Sequence, residues 1–155
     1  MNAVDELKAR ARIRLNAARR DGGGADLRLR DVLRDVAREV GFNHWDHARR
    51  VLGGLALPGE DMGTFWFAPR TGTLNEWHAT PARAQAAMAG REGLYLLPYK
   101  RQAVLVQAPF VDALGLDPAH PAWASIGRDL AAAYGQAAWS ELAALRVRAP
   151  RSSFA

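Results

Sequence analysis

The sequence contains no cysteine, only two lysines, and no stretch longer than eleven residues without a charge or a histidine. Without cysteine the chain forms no disulfide and offers no thiolate ligand for zinc or an iron-sulfur cluster. A membrane-spanning helix needs about 20 mainly apolar residues, so we predict none. The first residues, MNAVDELK, have neither the basic nor the apolar region of a signal peptide. We therefore expect a cytoplasmic protein.

What the chain does contain is typical of one globular domain: 155 residues, of which 49% are hydrophobic and 24% are charged. The net charge of +5 is concentrated near the start, since residues 1–50 hold twelve basic and eight acidic residues. The chain also has 31 alanines and 19 arginines. That bias suggests a GC-rich bacterial genome, so the abundance of arginine alone is weak evidence for phosphate recognition.

Helical periodicity predicts three helices in residues 1–54. Apolar residues between Val4 and Ala18 recur at steps of three and four, which predicts a helix over 3–20. Asp21 and three glycines form a predicted linker. Asp26 is the predicted cap of a second helix that ends at Gly41, and Asn43 is the predicted cap of a third that ends before residues 53–54. Residues 1–54 are thus a predicted basic helical module.

Residues 63–149 are predicted to form an α+β body. One hairpin is expected from residues 64–68 and 73–77, and a second from 94–97 and 103–108. Helices are predicted from Pro81 to about Gly90, across Trp123 to Ala133, and around Trp139 to Leu145. Residues 150–155 are a predicted loose tail. The fold class is therefore α+β, a small antiparallel sheet with packed helices, and the body and residues 1–54 are either separate units or one compact domain.

One local pattern resembles known proteins. Residues 37–45, A-R-E-V-G-F-N-H-W, resemble the pattern A-R-E-x-G-F-x-x-W of a short helical module in bacterial proteins assigned to the glyoxalase superfamily and in some ankyrin-containing proteins. The resemblance covers about residues 26–54 and implies no glyoxalase activity. The same stretch resembles a helix-turn-helix through Ala37 and Gly41, although His47 stands where that motif usually has a branched aliphatic residue. A plain hairpin of two helices accounts for the same residues.

The favoured function is non-enzymatic binding of nucleic acid, or of a partner associated with it, through the basic helices. Cations on one strip of the first helix suit phosphates. In a helix-turn-helix the second helix of the motif would lie in the major groove and add its own contacts. The candidate binding residues are Lys8, Arg12, Arg19, His44, His47, Arg49 and Arg50.

The alternative function is a protein-protein interaction module, such as a regulatory or antitoxin-like partner, which docks through the helical module or the aromatics of the sheet. Exposed rings of Trp66 and Tyr99, near the cations Arg70, Lys100 and Arg101, would form this surface. The competing interpretation is that helices cover both faces of the sheet.

Catalytic and metal-binding motifs are not recognisable. His44 and His47 stand three residues apart, with Glu39 or His78 as further donors, but no HExxH motif is present and we predict no metal or cofactor. No serine stands in a GxSxG motif. Glu76 and His78 flank Trp77 and are the best candidates for a catalytic cleft, which we rank below the binding functions.

Overall fold

The computed structural model describes residues 1–69 and 71–154, and it confirms the α+β class with N-terminal helices and a small antiparallel sheet. The elements are α1 (Ala3–Arg20), α2 (Leu29–Glu39), α3 (Trp45–Leu52), β1 (Glu76–His78), α4 (Pro81–Met88), β2 (Tyr95–Tyr99), β3 (Gln102–Val106), α5 (Ala108–Ala113), α6 (Pro121–Ser125), α7 (Ala137–Arg148) and a 3-10 turn (Arg151–Ser153).

Helix α1 has the predicted bounds, but the predicted caps of the next two helices are wrong. Helix α2 begins after Arg28 instead of Asp26, because the Asp31 carboxylate accepts the backbone N–H of Arg28 at 3.1 Å. Helix α3 begins after His44 instead of Asn43, since the Nδ1 atom of His44 accepts the backbone N–H of His47 at 3.1 Å. The imidazole of His44 thus caps α3, a role that a short polar side chain usually has.

The sheet contains one of the two predicted hairpins. Strands β2 and β3 pair antiparallel around the turn at Lys100 and Arg101, as predicted, and β1 adds to the other edge of β3. The hairpin predicted from residues 64–68 is wrong, because residues 63–66 form turns instead. The rings of Phe65 and Trp66 are both buried and meet edge to face at 4.9 Å, whereas neighbours on a strand point to opposite faces.

Both faces of the sheet are covered. Leu97 and Val104 belong to the main core, while Leu96 and Leu105 pack in a second cluster with Ala84 of α4. The interpretation that helices cover both faces is therefore confirmed for β2 and β3. Only the short edge strand β1 carries a large exposed ring, that of Trp77, which is 43% exposed.

The main core is continuous from α1 to α7. It includes Leu7 and Ala11 of α1 together with Leu142 and Val147 of α7, and the guanidinium of Arg10 donates to the Val147 carbonyl at 2.8 Å. The three N-terminal helices therefore pack directly on the remainder of the chain.

The helix predicted across Trp123 to Ala133 is shorter than expected, because α6 ends at Ser125. Gly127 and Arg128 both have positive φ, 62° and 58°, which a right-handed helix does not accommodate. The chain turns there so that Asp129 and Leu130 lie beside Leu96.

The guanidinium of Arg146 is wholly buried and joins three separate parts of the chain. It donates to the Phe65 carbonyl at 3.0 Å, to the Leu114 carbonyl at 2.6 Å and to the Ser153 carbonyl at 2.8 Å, and it stacks on the Phe154 ring at 3.5 Å. Burial lowers the pKa of Arg146 to about 9, so the side chain stays charged at neutral pH. Residues 151–154, predicted to be loose, are instead held in place by this contact.

We expect Arg146→Lys to lower the free energy of unfolding by about 3 kcal/mol, because one ammonium cannot reach carbonyls on three segments and each unpaired buried carbonyl costs about 1–3 kcal/mol. Urea unfolding followed by circular dichroism measures the change. Arg148→Lys on the same helix is the matched control, because Arg148 is exposed and pairs with Glu6. The control should lose less than about 1 kcal/mol, and equal losses in the two variants would contradict the assignment.

Candidate nucleic-acid interface

Three predicted binding residues lie together on α1. Lys8, Arg12 and Arg19 are exposed, and spacings of four and seven residues place them on one side of a helix. Within residues 1–69 and 71–154, no carboxylate lies within 4.0 Å of any of the three. Arg19 makes a long hydrogen bond of 3.4 Å to the Leu27 carbonyl. We call these three residues the α1 strip.

Two other arginines of α1 stabilise the fold instead. Arg14 donates two hydrogen bonds to the carboxylate of Glu39, at 2.7 and 2.8 Å. This contact holds the pKa of Glu39 below its usual range and raises that of Arg14. Burial lowers the pKa of Arg10, whose guanidinium bonds to the Val147 carbonyl. Arg10 and Arg14 are therefore occupied by contacts within the protein, whereas the α1 strip is available to a ligand.

The connection from α1 to α2 extends the basic surface beyond the predicted residues. Arg20, Arg28 and Arg30 are exposed there, and the hydrogen bond from Arg19 to Leu27 draws the end of α1 toward the start of α2. Residues 8–30 hold eight basic and two acidic side chains. The local density of arginine on both sides of the glycine linker is the sequence signal that could have indicated these three residues.

The arginines of α3 differ from the α1 strip because carboxylates neutralise them. Arg49 contacts the Asp46 carboxylate at 2.7 Å, and Arg50 donates two hydrogen bonds to Glu60. The hydrogen bond from Arg49 lowers the pKa of Asp46, and that from Arg50 lowers the pKa of Glu60. These ion pairs leave α3 with little positive charge to offer a phosphate.

His47 is occupied by the backbone around it. Its Nδ1 atom accepts the N–H of Asn43 at 3.1 Å, and its Nε2 atom lies 2.8 Å from the Asp61 carbonyl. Because a backbone N–H donates and a carbonyl accepts, these partners fit the tautomer with its hydrogen on Nε2. His44 uses its Nδ1 atom as the cap of α3. The predicted groove contacts of α3 are thus reduced to the exposed side of His44 and the paired Arg49.

Gly41, the glycine of the helix-turn-helix resemblance, lies against the segment that follows α3. It has φ of 98°, and its carbonyl accepts the N–H of Thr64 at 2.8 Å. A Cβ atom at Gly41 would lie 2.6 Å from the Thr64 hydroxyl and 2.8 Å from the Phe65 nitrogen. The missing side chain of Gly41 therefore leaves room for the segment after α3.

The predicted partner surface is only partly exposed. Trp66 is 1% exposed, so its prediction as a surface ring is wrong: it packs on Trp139 with ring centres 6.0 Å apart. Tyr99 is half-buried between neighbouring rings, whereas Lys100 and Arg101 are exposed at the β2–β3 turn. Arg70, expected beside them, lies outside the described residues.

The candidate catalytic pair lies on the edge strand β1, where Glu76 is exposed and His78 is half-buried. The Nε2 atom of His78 lies 3.3 Å from the Glu76 carboxylate, which Arg91 also contacts at 2.9 Å. Hydrogen bonding to His78, and then to Arg91, lowers the pKa of Glu76. A carboxylate held ionised between two donors is poorly suited to take up a proton as a general base. Within the described residues, no three histidine or acidic side chains converge on a common point that could hold a metal ion.

No family model, curated protein or solved structure matches this chain. The resemblance of residues 26–54 to the helical module named above thus stays a prediction. Among the described residues, no helix combines the length and the apolar character needed to cross a membrane.

We expect Gly41→Ala to destabilise the fold by about 2–4 kcal/mol, since the positive φ costs about 1 kcal/mol and the clash with residues 64–65 adds to it. Thermal and urea unfolding measure the effect. Gly90→Ala is the control, because Gly90 also has positive φ, 74°, but no atom within 4 Å of an added Cβ. Similar losses for both variants would show that the close approach of Thr64 is energetically unimportant.

The ion pair of Glu39 and Arg14 should give a pH-dependent contribution to stability. Because the pKa of Glu39 is lowered in the folded state, its contribution is present above the unfolded pKa and disappears as pH falls through the folded pKa. Both side chains are about a third exposed, so Glu39→Gln should cost only about 0.5–1 kcal/mol at neutral pH. Urea unfolding at about pH 6 and pH 3 tests this. A difference from wild type that grows toward acid pH would contradict the sign.

Proposed function

We propose that this protein binds nucleic acid, or a partner associated with nucleic acid, through the α1 strip and the connection from α1 to α2. The observation that supports this function is that Lys8, Arg12 and Arg19 are exposed on one side of α1 with no carboxylate within 4.0 Å among the described residues. Cations left unpaired on a surface attract phosphates without first breaking an ion pair.

Within the described part of the chain, the cations of the α1 strip are unpaired and the arginines of α3 are paired. This difference favours contacts with the phosphate backbone over contacts with base edges. In a helix-turn-helix, the second helix of the motif contributes exposed side chains to the major groove. Here Arg50 and His47 are held by Glu60 and Asp61, and Arg49 is paired with Asp46. Contacts to phosphates position a protein on a duplex but carry no sequence information. We accordingly propose binding with little sequence preference.

Phosphate contacts release counterions, so binding should weaken steeply with salt. Three neutralised phosphates give a slope of about −2.7 in log affinity against log salt on duplex DNA, which is about a 40-fold loss between 50 and 200 mM. Contacts from Arg20, Arg28 or Arg30 would steepen this slope. Fluorescence anisotropy with random duplex DNA, single-stranded DNA and RNA at these two salt concentrations measures it.

We expect the triple variant K8Q/R12Q/R19Q to bind about tenfold or more weakly at 50 mM salt and to reduce the salt slope by about 2.7, because each phosphate contact contributes about 0.9 to the slope on duplex DNA. The variant R83Q/R91Q/K100Q removes the same charge from the region of the sheet and α4, and it should keep most of the affinity. Thermal unfolding checks that both variants fold.

Two results would contradict this interface. Equal losses in the two triple variants would assign the binding to net charge alone. Loss of binding in R49Q/R50Q, with the α1 variant unaffected, would assign it to α3 as in a helix-turn-helix.

The second candidate function is a protein-protein interaction module, as in a regulatory or antitoxin-like protein. It is favoured by the edge of the sheet, where Trp77 is 43% exposed beside Tyr99, with ring centres 5.0 Å apart, and Leu74 is 96% exposed. Exposed aromatic rings are typical anchors of protein interfaces. Such an interface would respond weakly to salt, and Trp77→Ala would weaken it while leaving nucleic-acid affinity unchanged.

A further inference from the structure

A cleft of about 450 Å³ lies between the loop after α3, the start of α4, the β2–β3 turn and residues 130–134. Its volume falls within the range of about 300–1,000 Å³ that is usual for small-molecule sites. None of the α1 strip residues lines this cleft, so it is separate from the proposed nucleic-acid interface. Its walls are mainly apolar and include Leu57, Met62, Pro81, Pro98 and Leu130.

The polar groups in the walls of the cleft are mostly satisfied within the protein. The amide of Gln85 donates to the Asp129 carboxylate at 3.0 Å, and the hydroxyl of Tyr134 donates to the Val51 carbonyl at 2.6 Å. The carboxylate of Glu60 is held by Arg50. These groups therefore shape the cleft and leave little demand for hydrogen bonds from a ligand.

Lys100 and Arg101, the cations at the β2–β3 turn, differ from these polar groups because no carboxylate of the described residues pairs with them. Lys100 lies at φ of 52°, and its backbone exchanges hydrogen bonds with the loop after α3: its N–H donates to the Gly63 carbonyl at 2.8 Å and its carbonyl accepts from Met62 at 2.9 Å. Arg101 donates to the Gly59 carbonyl at 2.6 Å. Both side chains line the cleft, and no carboxylate of the described part of the chain lies within 4.0 Å of either. The turn thus places two cations beside an apolar space: the Arg101 guanidinium is held by the loop, and the Lys100 ammonium lies 5.5 Å from the centre of the Tyr99 ring.

We propose that this cleft binds a small amphipathic carboxylate, such as a medium-chain fatty acid, as a free molecule. The apolar tail would lie against Leu57, Met62 and Leu130, and the carboxylate would contact Lys100 and Arg101. The charge of the turn selects an anionic head group, because a charged donor that binds a carboxylate forms a stronger hydrogen bond than a neutral pair does. The apolar walls exclude small hydrophilic anions such as inorganic phosphate as good ligands, since these would leave the walls exposed to water.

The test is a titration of the full-length protein with sodium decanoate, followed by amide chemical shifts in two-dimensional NMR. Decan-1-ol and decylammonium have the same tail with a neutral and a positive head group. We expect saturable shifts confined to residues around the cleft, with decanoate binding about tenfold more tightly than decanol and decylammonium binding most weakly. Equal affinity for the three head groups, or shifts elsewhere on the surface, would overturn the proposal.

Two pairs of variants separate the contributions of charge and space. K100Q/R101Q should remove the preference for decanoate over decanol, whereas R83Q/R91Q, which removes two cations outside the cleft, should keep it.

Ala82→Phe fills the cleft, because Ala82 lines it at the start of α4. Ala86→Phe is the matched control, since Ala86 is exposed on the same helix and does not line the cleft. We expect A82F to lose binding of both decanoate and decanol while A86F retains it, and wild-type affinity in a folded A82F protein would overturn the assignment.

Discussion

The buried guanidinium of Arg146 is the interaction on which the arrangement of the second half of the chain depends. It reaches the carbonyls of Phe65, Leu114 and Ser153, which lie in three segments far apart in sequence. A planar group with five donors can satisfy such carbonyls together, which lysine cannot do. The desolvation of the charge is offset by these bonds and by the ring of Phe154. One side chain of α7 thus holds the segment after α3, the end of α5 and the end of the chain.

The segment after α3 determines which side chains of α3 remain exposed and unpaired. Residues 59–65 run beside the α2–α3 turn, where Gly41 leaves room for Thr64 and the Asp61 carbonyl meets the ring of His47. Glu60 of the same segment neutralises Arg50. The helical hairpin that resembles a helix-turn-helix is therefore covered on one flank by its own chain. Its remaining exposed positive charge is small, because Arg49 pairs with Asp46.

The same packing produces two surfaces of different character. The α1 strip is exposed, whereas other residues of α1 enter the core or, like Arg14, pair with the Glu39 carboxylate of α2. The cleft beside Lys100 and Arg101 combines two cations with apolar walls, which suits an amphipathic anion better than a polyanion. A ligand in the cleft would contact the segment of residues 56–62, which also packs on α3.

Local periodicity and composition were enough to predict the α+β class, the bounds of α1, the β2–β3 hairpin and the concentration of basic residues in the N-terminal helices. The sequence also identified Lys8, Arg12 and Arg19 as one strip, since helical spacing alone sets their direction. Spacing along the chain did not predict that Trp66 is buried, that β1 pairs with β3, or that Glu60 neutralises Arg50. Those outcomes depend on which distant segments meet, and charge pairing and burial are properties of such contacts and not of spacing along the chain.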